Sequence, residues 1–252
     1  MPALNEEKDL GACLRRLSCQ RVEEDYEIIV VDGGSEDGTV CLAEKHADLV
    51  ISQKSRGIGG ARRDGAAAAA GDKLAFTDAD TLVSPEWLLE ISSNLIGWEA
   101  STGPVIYPQS DIRSEIIESW RSLYRLLSVS NFYYIIGSNM AVRANAYWQA
   151  GGHSEISLLD DYDLSIKLFR IGATVRYDPV QAVYTSSRRV ERLFTYAVTV
   201  AYGHYHYVTG DHEKLLRYPK PEAMNLCALH TDVRSTLEAA QSSLHDRIKR
   251  II

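Results

Sequence analysis

Aspartate residues stand at three places in this chain of 252 residues where a regular element is predicted to begin or end. Asp32 closes a predicted strand rich in β-branched residues, and Asp78 and Asp80 close another predicted strand. Asp160 and Asp161 stand directly before a helical pattern. A single aspartate in such a place is usually a turn former or a helix cap. Three acidic turns in one chain favour instead a site where carboxylates act together.

The sequence Thr-Asp-Ala-Asp-Thr places Asp78 and Asp80 two residues apart. Side chains at this spacing lie on the same side of an extended backbone. Two carboxylates so placed can hold a hard divalent cation whose remaining ligands are water and phosphate oxygens. We therefore predict that Asp80 and Asp78 bind Mg²⁺ or Mn²⁺.

The charge balance means that local groups must hold any anionic ligand. The chain has 27 lysine and arginine residues against 34 aspartate and glutamate residues, a net charge of −7. A protein with this balance has no overall field that attracts nucleic acid. Residues 54–63 combine three glycines with Lys54, Arg56, Arg62 and Arg63. This segment is either a place where the backbone approaches a phosphate-bearing ligand or a solvated basic loop.

The composition is that of an ordinary globular protein. Hydrophobic residues make up 45% of the chain and charged residues 24%, which excludes a disordered, collagen-like or polytopic membrane chain. The four cysteines contain no Cys-x-x-Cys pair, which argues against a zinc ribbon and against a disulfide-stapled secreted domain. No apolar stretch reaches the ~20 residues of a membrane span. These features predict a cytoplasmic protein.

The order of the predicted elements is that of an α/β fold. Apolar runs at residues 26–31, 49–51 and 74–76 predict strands, and residues 58–70 predict a helix among them. Such alternation predicts a mostly parallel sheet with helices on both faces and a ligand site at the carboxyl ends of the strands. Ser84 and Pro85 predict a further helix, as its cap and its first residue. The later predicted elements are strands at 102–107, 139–143 and 175–177 and helices at 112–129, 164–171, 190–208 and from 231.

Taken in order, several segments of the chain resemble the family 2 inverting glycosyltransferases. They include PALNEE at 2–7, EIIVVDGGSEDGT at 27–39, FTDADT at 76–81 and LDDYDL at 159–164. Residues 56–72, 137–143 and 151–153 also match, and the resemblance extends to about residue 180. It implies the GT-A fold, an α/β fold whose sheet is mixed and mostly parallel. It also implies inversion at the anomeric carbon of a nucleotide-sugar donor, a UDP- or GDP-sugar.

The resemblance also implies roles for individual residues. Asp32 would contact the nucleobase. Asp80 would bind the metal directly, beside Asp78, which would also contact the donor. Asp161 would be the catalytic base, paired with Asp160. The other residues implied in nucleotide-sugar binding are Pro2, Ala3, Asn5, Glu6, Arg56 and, in a basic segment that closes over the diphosphate, Arg189.

The expected reaction needs two groups: one that stabilises the leaving diphosphate, and a base that takes the proton of the acceptor. Charge develops on the departing phosphate, where a metal stabilises it. A carboxylate on the opposite face of the sugar takes the proton of the acceptor hydroxyl. Asp160 and Asp163 are rivals of Asp161 for this role, since one member of an acidic pair can simply cap the helix. His153, which follows two glycines, could contact the acceptor or bond the backbone.

The resemblance also sets an expectation about domains and the first strand. We expect a transferase domain at residues 1–210, with a nucleotide-binding half at 1–100 and an acceptor half at 101–210, and a helical extension at 211–252. Family members carry an apolar strand ahead of the loop at 2–7, where this chain has only Met1. We therefore expect this strand to be missing, which would leave its two neighbours with unpaired backbone groups, and interpret the start as misplaced or truncated.

Two other functions stay open at this point. A non-catalytic nucleotide-sugar-binding module of the same fold would keep Asp32 and the metal turn but would not need Asp160 and Asp161. A nucleotidyltransferase would carry a glycine-rich basic loop after its first strand, where this chain has PALNEE. The acceptor is open as well: a glycan, a lipid phosphate reached by peripheral membrane contact, a small metabolite or a protein. No nucleic-acid partner is expected.

Overall fold

The computed structural model describes residues 1–107, 132–186 and 193–218. The helices predicted at 112–129 and from 231 lie outside these ranges, as do Arg189 and most of the extension predicted at 211–252. Regular elements alternate along the described chain in the order expected of an α/β protein.

The ten strands of the described ranges have two to four residues each. The strands are β1 (Pro2–Ala3), β2 (Ile29–Asp32), β3 (Leu49–Ser52), β4 (Lys73–Phe76), β5 (Thr81–Val83), β6 (Ala100–Thr102), β7 (Val105–Ile106), β8 (Met140–Arg143), β9 (Val175–Tyr177) and β10 (Val183–Thr185). The helices are α1 (Leu10–Leu17), α2 (Thr39–His46), α3 (Gly57–Ala68), α4 (Trp87–Gly97), α5 (Ala144–Gln149), α6 (Asp160–Arg170) and α7 (Leu193–Thr209), followed by the 3₁₀ helix His212–Leu215.

The strands form three sheets. β1, β2 and β3 are parallel neighbours in that order. A second sheet has the order β4-β8-β6-β9, in which β8 is antiparallel to both neighbours and β6 is parallel to β9. In the third, β10 lies between antiparallel β5 and parallel β7. Parallel and antiparallel pairs therefore occur together, as the prediction of a mixed sheet requires.

The first strand needs a correction. Pro2 and Ala3, expected in a loop, form β1 and pair with Val31 and Asp32 of β2. The expectation that residues 2–7 form only a loop is therefore wrong, although β1 has only two residues and lies within this segment. In the described part of the chain, β1 has a strand partner only in β2, and β4 has one only in β8. Within the described residues, the sheet of β1, β2 and β3 is thus not joined through its strands to the four-stranded sheet.

Two predicted boundaries are wrong for local reasons. α4 begins at Trp87 and not at Pro85, and Ser84 contributes its carbonyl oxygen, which accepts from the Trp87 N–H at 3.2 Å. The strand predicted at 102–107 is divided into β6 and β7. A Cβ atom at Gly103, between them, would overlap the neighbouring backbone, so the chain passes here at a distance that only glycine allows.

Helix α7 carries four tyrosines and no lysine, arginine, aspartate or glutamate. Tyr202 and Tyr207 pack against a buried cluster of Ile156, Leu158 and Leu215. Part of the aromatic surface of α7 is therefore used in packing against the protein. Within the three described ranges, no helix combines the length and the apolar character needed to cross a bilayer.

Candidate active site

The loop after β1 and the loop after β2 are bonded to each other. The Asn5 N–H donates to Ser35 Oγ at 2.9 Å, and the Asn5 side chain accepts from the Glu36 N–H at 2.9 Å. The Glu6 N–H donates to Thr39 Oγ1, at the first residue of α2, at 2.8 Å. These bonds hold Asn5 and Glu6 beside the carboxyl end of β2.

Asp32 ends β2 with its carboxylate turned back toward the chain. It accepts from the Gly34 N–H at 3.0 Å and from the Ser35 N–H at 3.2 Å, which is an Asx turn. The structure thus shows the turn-forming role that an aspartate after a strand commonly has. Contact between Asp32 and a nucleobase stays a prediction.

The two carboxylates of the Asp-Ala-Asp turn have different surroundings. Asp78 Oδ1 accepts from Arg62 Nη2 at 2.6 Å. Asp80 faces β10, where Thr185 Oγ1 donates to Asp80 Oδ1 at 3.5 Å. Asp78 is therefore bound to the buried guanidinium of Arg62, whereas Asp80 lies beside the Thr185 hydroxyl at the end of β10.

A single guanidinium joins this turn to the acidic pair. Arg62 lies on α3 and is 4% exposed, and its Nη1 donates to Asp160 while its Nη2 donates to Asp78. Asp160 is the first residue of α6 and is also buried. Gly137 lies against the guanidinium, where a Cβ atom would be 2.7 Å from Arg62 Nη2. Two of the three acidic turns thus meet in space.

Burial and neighbouring charge set the protonation of this cluster. Burial alone would lower the pKa of Arg62, but Asp160 and Asp78 outweigh it and raise the pKa, so the guanidinium stays charged. Burial raises the pKa of Asp160 to about 6, against the opposing charge of Arg62. Asp160 is enclosed and committed to Arg62, which makes it a poor base for an incoming substrate.

Asp161, the neighbour of Asp160, is half-buried and has different partners. Its Oδ2 accepts from the Tyr134 hydroxyl at 2.9 Å and from the Gly137 N–H at 3.1 Å. Its Oδ1 accepts from the Tyr162 N–H at 2.8 Å. The first turn of α6 also favours a negative charge through the helix dipole. These interactions hold the Asp161 carboxylate in one orientation, close to Arg62 and the Asp-Ala-Asp turn.

Two other candidates have structural partners. Asp163 is buried, accepts from the Tyr207 hydroxyl at 3.0 Å and lies 2.8 Å from Lys167 Nζ. His153 is fully buried, with Nδ1 2.9 Å from the Tyr147 hydroxyl. Burial, reinforced by nearby arginines, holds the pKa of His153 well below its usual value. A structural role therefore fits Asp163 better than the role of base, and fits His153 better than contact with an acceptor.

Arg56 lies at the start of α3 and reaches the end of the described chain. Its two terminal nitrogens donate to the two carboxylate oxygens of Glu213, each at 2.9 Å. Both side chains are more than half exposed, so the ion pair contributes little to stability. Nucleotide binding by Arg56 stays a prediction, and so does that by Arg189, which is outside the described residues.

The glycine-rich start of α3 packs against the loop that leads into the acidic pair. The Gly59 N–H donates to the Ile156 carbonyl at 2.8 Å, and the Ile58 N–H donates to Ser157 Oγ at 3.1 Å. A Cβ atom at Gly59 would overlap the Ser154 carbonyl. The close approach that this glycine allows is therefore to protein backbone.

Gly59→Ala should destabilise the fold by about 1–3 kcal/mol, because the added methyl must displace this loop. Gly97→Ala is the matched control, since Gly97 is also helical and a Cβ atom there meets nothing within 4 Å. The control should unfold at the same temperature as the parent or slightly higher. Equal midpoints for both variants in thermal unfolding would contradict the packing argument.

Sequence reasoning underestimated Arg62 and missed Tyr134. Neither interpretation of residues 54–63, as a segment near a phosphate or as a solvated loop, buries Arg62. Positions 59, 62, 65 and 66 nevertheless share one helical face, and all of them except Arg62 are small. An arginine on such a face is a signal of a buried ion pair. Tyr134 carries no comparable signal, because its bond to Asp161 depends on how two separate segments meet.

The residues of the turn fit a divalent cation that is shared with a ligand. In the described ranges, no group of three or more histidine, cysteine, aspartate or glutamate side chains could enclose a metal ion. Asp78 is bound to Arg62, so Asp80 is the carboxylate of the turn better placed for a metal. Mg²⁺ commonly takes one or two protein carboxylates and completes its shell with water and phosphate oxygens. Asp80 fits such a site.

The fold is that of the GT-A glycosyltransferases, as predicted. Glucosyl-3-phosphoglycerate synthase from Mycobacterium tuberculosis, solved with Mn²⁺, UDP-glucose and phosphoglyceric acid, superposes with a TM-score of 0.61 at 20% identity, covering 80% of this chain and 75% of that chain. TarS 1–349 from S. aureus, solved with UDP-GlcNAc, gives a TM-score of 0.59 at 19% identity, covering 77% and 59%.

The chain belongs to glycosyl transferase family 2, whose model matches residues 1–151. Glycosyltransferase AglE of Haloferax volcanii is 26% identical over 162 residues, 60% of this chain and 53% of AglE. The dolichyl-phosphate beta-glucosyltransferase of Drosophila melanogaster is 30% identical over 154 residues, 54% of this chain and 47% of that protein. The chain thus spans about half the length of these relatives.

Proposed function

We propose that this protein transfers a sugar, with inversion, from a nucleotide-diphosphate donor to an acceptor hydroxyl or phosphate. The observation that carries the proposal is the double ion pair of Arg62, which holds Asp78 and Asp160 on one guanidinium. The Asp-Ala-Asp turn and the acidic pair are the two groups that such a reaction needs around the transferred sugar. The UDP-sugars bound in the solved structures of similar fold support a nucleotide-sugar donor.

In this proposal, the nucleotide lies over the bonded loops that contain Pro2, Ala3, Asn5, Glu6 and Asp32. These loops stand at the carboxyl ends of β1 and β2, where open α/β sheets bind ligands. Arg56 would reach the diphosphate by leaving Glu213, and Arg189 would approach it from the segment before α7. Exchange of an exposed ion pair for a phosphate costs little, because such pairs are weak.

Asp80 would hold Mg²⁺ or Mn²⁺ against the diphosphate, with Asp78 oriented beside it by Arg62. A bound cation would offset the charge that develops on the leaving nucleoside diphosphate. The chain itself supplies the position of Asp80, which the turn after β4 and the Thr185 hydroxyl of β10 hold in place. The Mn²⁺ in the mycobacterial synthase structure supports this choice of metals.

Asp161 would act as the base that takes the proton of the acceptor. It is half-buried and oriented by Tyr134 and Gly137, whereas Asp160 is enclosed with Arg62. Asp160 would then contribute by holding Arg62 in place. The presence of both Asp160 and Asp161 supports an enzyme over a non-catalytic nucleotide-sugar-binding module, which would not need them.

Calorimetric titration of UDP and of GDP, with and without Mn²⁺, tests the donor site. We expect one of the two nucleotides to saturate the protein, with binding strengthened by Mn²⁺. Failure of both to bind a folded sample would overturn the proposal. Because several relatives are named for dolichyl or undecaprenyl phosphate, turnover is first sought with the matching glucosyl nucleotide and a polyprenyl phosphate. Donor binding with no turnover on any acceptor class would favour the binding module.

Asp80→Ala should weaken nucleotide binding in the presence of Mn²⁺ by about tenfold or more, since the variant removes the carboxylate that shares the cation with the diphosphate. Binding without metal should stay within about twofold of the parent. The metal-free titration is thus an internal control for folding of the site. A Mn²⁺-dependent isotherm identical to that of the parent would remove Asp80 from the metal site.

A further inference from the structure

The loop that leads into the acidic pair is bonded to a segment near the end of the described chain. This segment, residues 212–216, follows α7 and includes the 3₁₀ helix. The Leu215 carbonyl accepts from the Ser157 N–H at 2.8 Å and from the Leu158 N–H at 2.9 Å. The Ser157 hydroxyl donates to the Leu216 carbonyl at 2.7 Å. These bonds join the 212–216 segment to the residues just before the acidic pair.

An apolar side chain reinforces this contact. Leu215 is fully buried in one cluster with Ile156 and Leu158 of the loop. Tyr207 of α7 packs against the same cluster, and its hydroxyl donates to Asp163 in the first turn of α6 at 3.0 Å. The loop is therefore held both by Leu215 and by the glycine-rich start of α3, which is bonded to the same residues.

The residue that connects this loop to α6 has a strained backbone. Leu159 has a φ of 62° and a ψ of 24°, in the left-handed region that residues with a side chain rarely adopt. Such a conformation persists only where the surrounding structure requires it. Helix α7 lies against the Leu159 side chain at Gly203, where a Cβ atom would be 3.3 Å from Leu159 Cδ1. Packing against α7 and docking of the 212–216 segment are the contacts that can impose this conformation.

The left-handed conformation of Leu159 sets the direction in which the chain enters the acidic pair. With a negative φ at this residue, Asp160 and Asp161 would leave the loop in another direction. The Leu159 carbonyl also accepts from the Asp163 N–H at 2.8 Å, so the same residue begins the hydrogen bonding of α6. Displacement of a reacting group by about 1 Å can lower a rate by about 10²-fold. The loop is thus a place where a distant contact can change the rate.

We propose that Leu215 is a positioning residue for the acidic pair. By docking on the loop at Ile156 and Leu158, it holds Leu159 in the left-handed conformation and thereby fixes Asp160 and Asp161 at the start of α6. Leu215 acts through the loop, because its own side chain is enclosed by protein. The expected effect on rate rests on the proposed sugar transfer, whereas the docking itself can be measured without turnover.

Leu215→Ala should speed hydrogen exchange of the backbone amides of Ser157, Leu158 and Asp163 by about tenfold or more, because it loosens the docking. Turnover should fall by about tenfold or more, while nucleotide affinity stays within about twofold of the parent. Leu215→Met, which keeps most of the apolar volume, should restore parental exchange and turnover.

Two results would overturn the inference. One is unchanged exchange at the three amides, whatever the activity. The other is parental turnover in Leu215→Ala despite faster exchange. An inactive parent would instead contradict the proposed sugar transfer, and the exchange rates would still decide whether Leu215 holds the loop.

Leu95→Ala is the matched control for loss of a buried leucine. Leu95 lies on α4, and both leucines are 0% exposed, so the two variants remove the same atoms from equally buried places. Both should lower the midpoint of thermal unfolding by several degrees, but Leu95→Ala should keep turnover within about twofold of the parent. Equal losses of turnover in the two variants would reduce the effect of Leu215 to general destabilisation and contradict the inference.

A second pair of variants tests the backbone of Leu159. Leu159→Gly and Leu159→Ala both remove the side chain that packs at Gly203. Glycine adopts the left-handed conformation without strain and alanine does not, so the glycine variant should turn over about threefold faster or more. Exchange of the Asp163 amide should be slower in the glycine variant for the same reason. Equal values for the two variants would show that this conformation does not position the acidic pair.

Discussion

Asp161→Asn should lower the turnover number by about 10²–10⁴-fold, which is the usual contribution of a positioned general base. The amide oxygen can still accept from Tyr134 and from the Gly137 N–H, and the variant loses only the bond from the Tyr162 N–H, so most of the local geometry should survive. Nucleotide affinity should therefore stay within about twofold of the parent. Steady-state release of nucleoside diphosphate and calorimetric titration measure the two quantities.

The control for this variant is Asp25→Asn, which makes the same chemical change at an exposed residue outside the acidic turns. It should turn over like the parent. If Asp161→Asn retained turnover within about twofold of Asp25→Asn, the base would have to be another group. A loss of both turnover and thermal stability would indicate a structural role and would equally contradict the assignment.

Arg62→Met should destabilise the protein by about 3–5 kcal/mol, because it leaves the buried carboxylate of Asp160 without its cation. Asp78 loses its partner in the same step. For a chain of this size, the midpoint of thermal unfolding should fall on the order of 10 °C. Urea unfolding gives the free-energy difference directly, and Mn²⁺-dependent nucleotide binding reports whether Asp78 and Asp80 keep their places.

Arg63→Met is the matched control, since Arg63 is the adjacent arginine but is exposed, where it donates to the Gly151 carbonyl at 3.0 Å and lies over the Trp148 ring. We expect it to change stability by about 1 kcal/mol or less. Asp160→Asn in the Arg62→Met background should recover part of the loss, because the buried group is then neutral. Equal stabilities of the two arginine variants would show that the double ion pair does not hold the site together.

The positions of the acidic turns could be predicted because each depends on local sequence. The apolar runs that end at Asp32 and at the Asp-Ala-Asp turn mark the carboxyl ends of two strands, and an α/β sheet brings such ends to one region. The helix predicted at 164–171 begins at Asp160, four residues earlier. The acidic residues before it indicated its start, since negative charges favour the first turn of a helix.

The contacts across the site could not be predicted, because they depend on how distant segments pack. Arg62 and Asp160 are 98 residues apart, and Arg56 and Glu213 are 157 apart. The short strand at Pro2–Ala3 was missed for a related reason: two residues carry no periodicity, and only the register with β2 defines them. Sequence patterns of one element contain no information about such partners.

The double ion pair of Arg62 also constrains how members of this family can be recombined. A chimera that joins residues 1–100 of this chain to the second half of a relative takes Arg62 and Asp78 from this chain. The partner of Arg62 in the other half then comes from the relative. The chimera keeps a charged and compensated centre only where the incoming half supplies an aspartate equivalent to Asp160. Exchange confined to residues after the first turn of α6 leaves this ion-pair cluster intact, whereas exchange of a whole half does not.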